Sequence, residues 1–171
     1  MNKYGAIGVF VLSLVIILAQ VFIFKDLVLF GSAFCFFYVL VFFLLPIDTN
    51  PLVQILFGFV IGLIVDSFYS TQGVHAAAAT FLMFIRPFWI NILSPGSGYG
   101  AADRISIRTQ GIQWFITFTY PLILIHCILL FFVEAFGFTN FWDTLAKGFY
   151  SSLFTLVVVL IIHYLLINKE K

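Results

Sequence analysis

Apolar runs of about 20 residues alternate along this chain with short polar breaks, and within each run the apolar positions are contiguous. A helix rising 1.5 Å per residue needs roughly 20 such residues to cross the hydrocarbon core of a bilayer. The pattern predicts six spans, at about 5–24, 27–45, 52–66, 74–93, 114–133 and 145–167. Lys25-Asp26 closes the first, and the turn from Pro46 to Pro51, with Asp48 and Asn50 inside it, closes the second. The third ends at Asp66 with a polar turn behind it, and the fourth contains Arg86-Pro87. A polar stretch over 94–113, rich in glycine, leads into the fifth, and Glu134 to Trp142 leads into the sixth. Hydrocarbon offers backbone amides no partner, so spanning segments are helices or closed barrels. Unbroken runs lack the alternation a barrel requires. The expected fold is an all-α membrane protein: a polytopic six-helix transmembrane bundle forming one integral membrane domain over 1–171.

Composition agrees. The chain is 63% hydrophobic and 9% charged, where globular domains carry about a quarter charged residues. Its mean hydropathy is +1.17. No soluble domain of ordinary size fits beside the spans, and a net charge of +1 exerts no pull on nucleic acid. Cys35 and Cys127 both lie in apolar runs and read as small hydrophobes, without metal or redox spacing. The first run is long for a signal sequence and no A-x-A site follows it, so it reads as a retained span.

Basic residues near span ends set orientation. With the N-terminus in the cytoplasm, Lys3, Arg104, Arg108, Lys169 and Lys171 fall inside, and Lys25 and Lys147 fall outside. The bias favours both termini, and the loop 94–113, on the cytoplasmic side. Phe88-Trp89, Trp114 and Phe141-Trp142 mark interfaces, where amphipathic rings settle.

Few polar residues enter the spans. Gly58, Gly62 and Asp66 are four apart and share a helical face. Small residues at that spacing admit a second backbone, and the alanine run Ala76–Ala79 opens the next span. The third and fourth spans are therefore expected to form a tight hairpin. Asp66 stands at the C-terminal end of its own helix, against the helix dipole, which asks for a partner among Thr71, Gln72 and His75. In the hairpin register position 86 faces Gln54, with Asp48 nearer the cytoplasm, so Arg86 is expected to find cytoplasm-side partners or lipid phosphate. Pro87 is expected to kink or end the fourth helix. His126 is expected to face Ser151 and Ser152; His75 and His163 lie at other span ends, so neither a proton relay nor a metal site is expected. If helical, Arg104 and Arg108 form a small basic cytoplasmic face that contacts anionic lipid or docks a protein. Nothing in the chain has the spacing of a phosphate loop, HExxH, CxxC or a hydrolase triad, so neither catalytic residues nor a cofactor are expected.

The central block, Leu45-Pro46-Ile47-Asp48, then Gly58 to Asp66, Gly73 and Arg86-Pro87, resembles the rod shape-determining protein MreD family. The likeness runs over most of the chain in size and span layout. It implies a non-enzymatic scaffold of the bacterial cell-elongation machinery in the inner membrane. Its implied partners are a bitopic MreC-like protein and, through it, an MreB-like filament, RodA and its transpeptidase. By position the resemblance points to Gly58, Gly62, Asp66 and Arg86 as helix-packing or partner-binding residues. MreD-like proteins are similar in fold to the substrate-binding S components of energy-coupling-factor vitamin transporters, which supply the alternative function. The Ala-x-x-x-Ala docking motif such components often carry is absent from Gly5–Val11.

Overall fold

A computed structural model describes residues 6–94, 99, 105–138 and 140–167. Among these residues four helices are long and apolar enough to cross a membrane: α3 (Pro51–Tyr69), α4 (Val74–Leu93), α6 (Ile112–Glu134) and α7 (Phe141–Ile162). The molecule is a helical membrane protein. Helix α1 (Ala6–Ala19) runs on into a π-helical turn over Gln20–Phe24, and α7 likewise into His163–Ile167.

The helix expected over 27–45 does not form. A hairpin of β1 (Val28–Leu29) and β2 (Ala33–Phe34) is followed by a 3-10 turn over Phe37–Val39 and a one-turn helix α2 (Leu40–Phe43). Every residue from Cys35 to Phe43 is buried, most of them completely. An apolar run reports burial, not helical period, and here the burial is against protein. Non-helical backbone is tolerated at membrane depth when protein encloses it. Extended and tightly wound residues together cover roughly 27 Å, close to the hydrocarbon thickness.

Short turns join the long helices. Asn50 caps α3, its side chain accepting from Leu52 N at 2.9 Å, and Pro51 occupies the first turn, where its missing N–H costs nothing. Ser70 ends α3 in a left-handed conformation and Gly73, also at positive φ, starts α4. Pro87 does not end α4, which continues to Leu93.

Helix directions follow from contacts at their ends. Lys25 Nζ donates to Phe68 O at 2.7 Å, so α1 and α3 finish at one face, with the β1–β2 hairpin. Ile107 N donates to His163 Nε2 at 3.3 Å and Trp89 Nε1 to Phe118 O at 3.2 Å. These bring the end of α7, the end of α4 and the start of α6 to the opposite face, where α1 and α3 begin. The two ends of the described chain therefore share a face.

Candidate functional site

Polar side chains inside the bundle gather in three places along the buried crossing. Nearest the hairpin face, Asp66 points away from its own helix and onto α4. Its Oδ1 accepts from His75 N at 3.0 Å and its Oδ2 from Ala76 N at 2.9 Å, while the Thr71 hydroxyl donates to Oδ1. A carboxylate unfavourably placed at the end of α3 thus sits favourably at the start of α4, on two amides that the helix itself leaves unpaired. The cap Gly73 has no side chain to do this.

The close approach that makes this cap geometrically feasible comes from the glycines. A Cβ at Gly62 would stand 2.7 Å from Ala76 N and 2.8 Å from His75 O; one at Gly58 would stand 2.7 Å from Met83 Cγ and 2.8 Å from Ala79 O. Gly58 and Gly62 therefore lie on the backbone of α4, with Met83 also against Gly58, in the hairpin their spacing predicts.

Toward the other face Arg86 is fully buried. Its Nη1 donates to Gln54 Oε1 at 2.7 Å, and Nη2 to Leu45 O at 2.8 Å and Pro46 O at 3.3 Å. Gln54 is held in turn by donating to Thr49 O at 2.6 Å. The register of the hairpin is the one that pairs positions 54 and 86. The guanidinium also sits at the C-terminal end of α2, where carbonyls lack helical partners and a cation is favoured.

Between these two sites lies a cluster that sequence reasoning missed. The extended stretch 33–36 has no helical hydrogen bonds, and its amides reach other helices. Phe34 N donates to Ser151 Oγ at 2.9 Å and Phe36 N to Thr155 Oγ1 at 3.0 Å. Two residues of strand and four of helix advance by nearly the same distance, about 6–7 Å, so the two pairs stay in step. Gln20, buried in the π turn of α1, accepts from Tyr38 N at 3.1 Å and donates to Cys35 O at 3.0 Å and to the Tyr69 hydroxyl at 2.6 Å. One amide side chain thus ties α1, the crossing and α3 together.

The Tyr38 hydroxyl lies 3.1 Å from His75 Nδ1 and 2.9 Å from His126 Nε2, all three residues being buried. This corrects two expectations. His75 and His126 converge, and His126 faces Tyr38 instead of Ser151 and Ser152. A phenol has one proton, so it donates to one imidazole and accepts from the other. His75 also lines a cavity of about 160 Å³ that reaches the hairpin face past Tyr69, Thr71 and Glu134. This hydrogen-bonded chain fixes orientation in the bundle core. Among the described residues no three His, Cys, Asp or Glu side chains are grouped to hold a metal ion.

The remaining candidates lie apart. His163 belongs to the opposite face, accepting from Ile107 N and packed against Phe115 with ring centres 4.4 Å apart and planes tilted by 33°. Arg104 falls outside the described residues, and Arg108 lies in the short helix α5 (Ile107–Gln110), which starts three residues beyond it. The missed residues carried one signal: Gln20, Ser151 and Thr155 are polar side chains inside apolar runs, and such residues require partners.

Compared with protein-family models, curated proteins and solved structures, the chain matches none of them. Any functional assignment therefore stands on these residues and their geometry.

Proposed function

We propose that this protein is an MreD-like, non-enzymatic component of the bacterial cell-elongation machinery, an inner-membrane adaptor that works by contact. One observation carries the reading. The block that resembles the MreD family is used inside the bundle: Gly58 and Gly62 against α4, Asp66 on the start of α4, and Arg86 on Gln54 and the carbonyls of Leu45 and Pro46. Such residues build a rigid platform and leave the outer helix faces apolar. On α1, Phe10, Val11, Leu14, Val15 and Leu18 are exposed, a surface suited to a single-span partner that packs by van der Waals contact in lipid.

In this reading the partner is an MreC-like bitopic protein, with the MreB-like filament, RodA and its transpeptidase reached through it. The terminal face is cytoplasmic, following the basic bias. Cysteines introduced at Ser97 and Thr139, both outside the described residues, should label from opposite sides of the membrane. Capture of the native protein should co-purify the bitopic partner, and Leu14→Trp with Leu18→Trp on α1 should reduce that yield without loss of folded protein. Absence of any bitopic partner would refute the proposal.

The alternative, a substrate-binding S component, is favoured by the cavity of about 160 Å³ beside His75 and the interrupted crossing below it, since transporters place substrate at broken helices. A vitamin that raises the melting temperature of the purified protein would support it.

A further inference from the structure

The face of α7 beside the hairpin changes character with depth. Near its start, Asn140, Asp143, Thr144 and Lys147, together with Ser32 from the hairpin tip, line a cavity of about 430 Å³. Ser32 and Tyr150 also border the next cavity, a groove of about 570 Å³ walled by Leu153, Phe154 and Val157 of α7 and by Leu29, Phe30 and Ala33 of the hairpin. Positions 143, 147, 150, 154 and 157 recur at intervals of three and four and form one stripe. Because α7 enters the membrane from the hairpin face, order along the stripe is order of depth. A carboxylate lies outermost, then an ammonium, then a phenol, then hydrocarbon.

Two further observations point to an occupant. Asp143 and Lys147 are exposed, and among the described residues Lys147 has neither a hydrogen-bond nor an ion-pair partner. Phe30, which overhangs the groove, is 97% exposed; its φ of +52°, with Gly31 at +70° and Ser32 N donating to Leu29 O at 3.1 Å, is the tight turn of the hairpin, which holds the ring out over the groove.

We infer that this face binds one glycerophospholipid bearing an ethanolamine headgroup. Its phosphate lies on Lys147, its ammonium on Asp143, and one acyl chain in the groove. The match is in the sequence of groups: ammonium, phosphate, glycerol ester and chain run inward in the lipid as Asp143, Lys147, Tyr150 and Leu153 to Val157 run inward on the helix. Asp143 and Lys147 stand about one helical turn apart, roughly 5–6 Å, within reach of a phosphoethanolamine unit. A lipid with a bare phosphate or a glycerol headgroup satisfies Lys147 but brings no cation to Asp143 and sets a negative charge beside it. A choline headgroup supplies the charge but no N–H for the carboxylate.

Native mass spectrometry of the full-length protein tests this, in micelles holding equal amounts of phosphatidylethanolamine, phosphatidylcholine, phosphatidylglycerol and a polyprenyl phosphate. The ethanolamine lipid should dominate the single-lipid adduct, about tenfold over phosphatidylglycerol, the value of one charge-assisted contact. Lys147→Gln should reduce that adduct about tenfold, Lys147→Arg should preserve it, and Asp143→Asn should shift preference toward phosphatidylglycerol. Both side chains are exposed, so melting temperatures should match the unaltered protein. Equal occupancy by all four lipids, preference for phosphatidylglycerol or the polyprenyl phosphate, or adducts indifferent to Lys147→Gln and Asp143→Asn would overturn the inference.

Discussion

Asp66 Oδ2 accepts a hydrogen bond from Ala76 N at 2.9 Å, so the one acidic residue of α3 serves as the cap of α4. The turn between them is short, and its Gly73 offers no side chain, so the carboxylate reaches across the hairpin to do the work of an N-cap. Asp66→Ala leaves two amides of α4 and the Thr71 hydroxyl without their acceptor. It should destabilise the protein by about 2–3 kcal/mol, and Asp66→Asn, which keeps one oxygen acceptor, by about half as much. Unfolding of each variant in mixed micelles measures the difference. Stability equal to the unaltered protein would mean that the cap contributes nothing.

The glycines of α3 should differ in tolerance. An added methyl at Gly62 meets only backbone atoms of His75 and Ala76, whereas at Gly58 one of the close atoms is Met83 Cγ, which can move. Gly148, facing Ile128 at 3.1 Å, is less constrained than either. Alanine substitutions should therefore destabilise in the order Gly62, Gly58, Gly148, with about 1–3 kcal/mol lost at Gly62. Leucine at Gly62 should abolish folded yield. The order can be read from melting temperatures in one detergent.

Replacing Arg86 tests the other end of the same hairpin. Alanine leaves Gln54 Oε1 and the carbonyls of Leu45 and Pro46 buried without their donor, a loss of roughly 2–4 kcal/mol. Arg86→Lys keeps the charge but not the planar fork that reaches both α3 and the crossing, so it should lose about half as much. Equal loss for the two variants would show that charge, and not fork geometry, holds Arg86 in place.

Much of this hairpin was legible in the sequence, because small residues four apart, an acid at their end and an arginine in the next span constrain one another locally. The crossing was not legible. A run such as Ala33 to Leu45, with one phenol at Tyr38, has too few polar positions to betray a period, and the groups that satisfy its backbone, Gln20, Ser151 and Thr155, sit on other helices. The same displacement hid the meeting of His75 with His126. Pairing α6 with α7 alone sends His126 toward Ser151 and Ser152, and only the phenol of a residue in the unwound crossing brings the two imidazoles together.

That crossing yields a prediction of its own. Thr155→Val keeps shape while orphaning Phe36 N, and Tyr38→Phe removes the hydroxyl between two imidazoles; each should cost about 1–3 kcal/mol. A double-mutant cycle of Tyr38→Phe with His126→Phe should return a coupling of about 0.5–3 kcal/mol, because the two share a hydrogen bond. Additive losses would show that His126 and Tyr38 do not interact in the membrane.

Function by contact in wall elongation is tested by depleting the protein in its host and recording cell shape together with vitamin uptake. Depletion should give rounded cells, disordered wall synthesis and unchanged uptake, with rescue by the unaltered chain and not by Gly62→Leu. Cells that stay rod-shaped while uptake of a vitamin fails would contradict it.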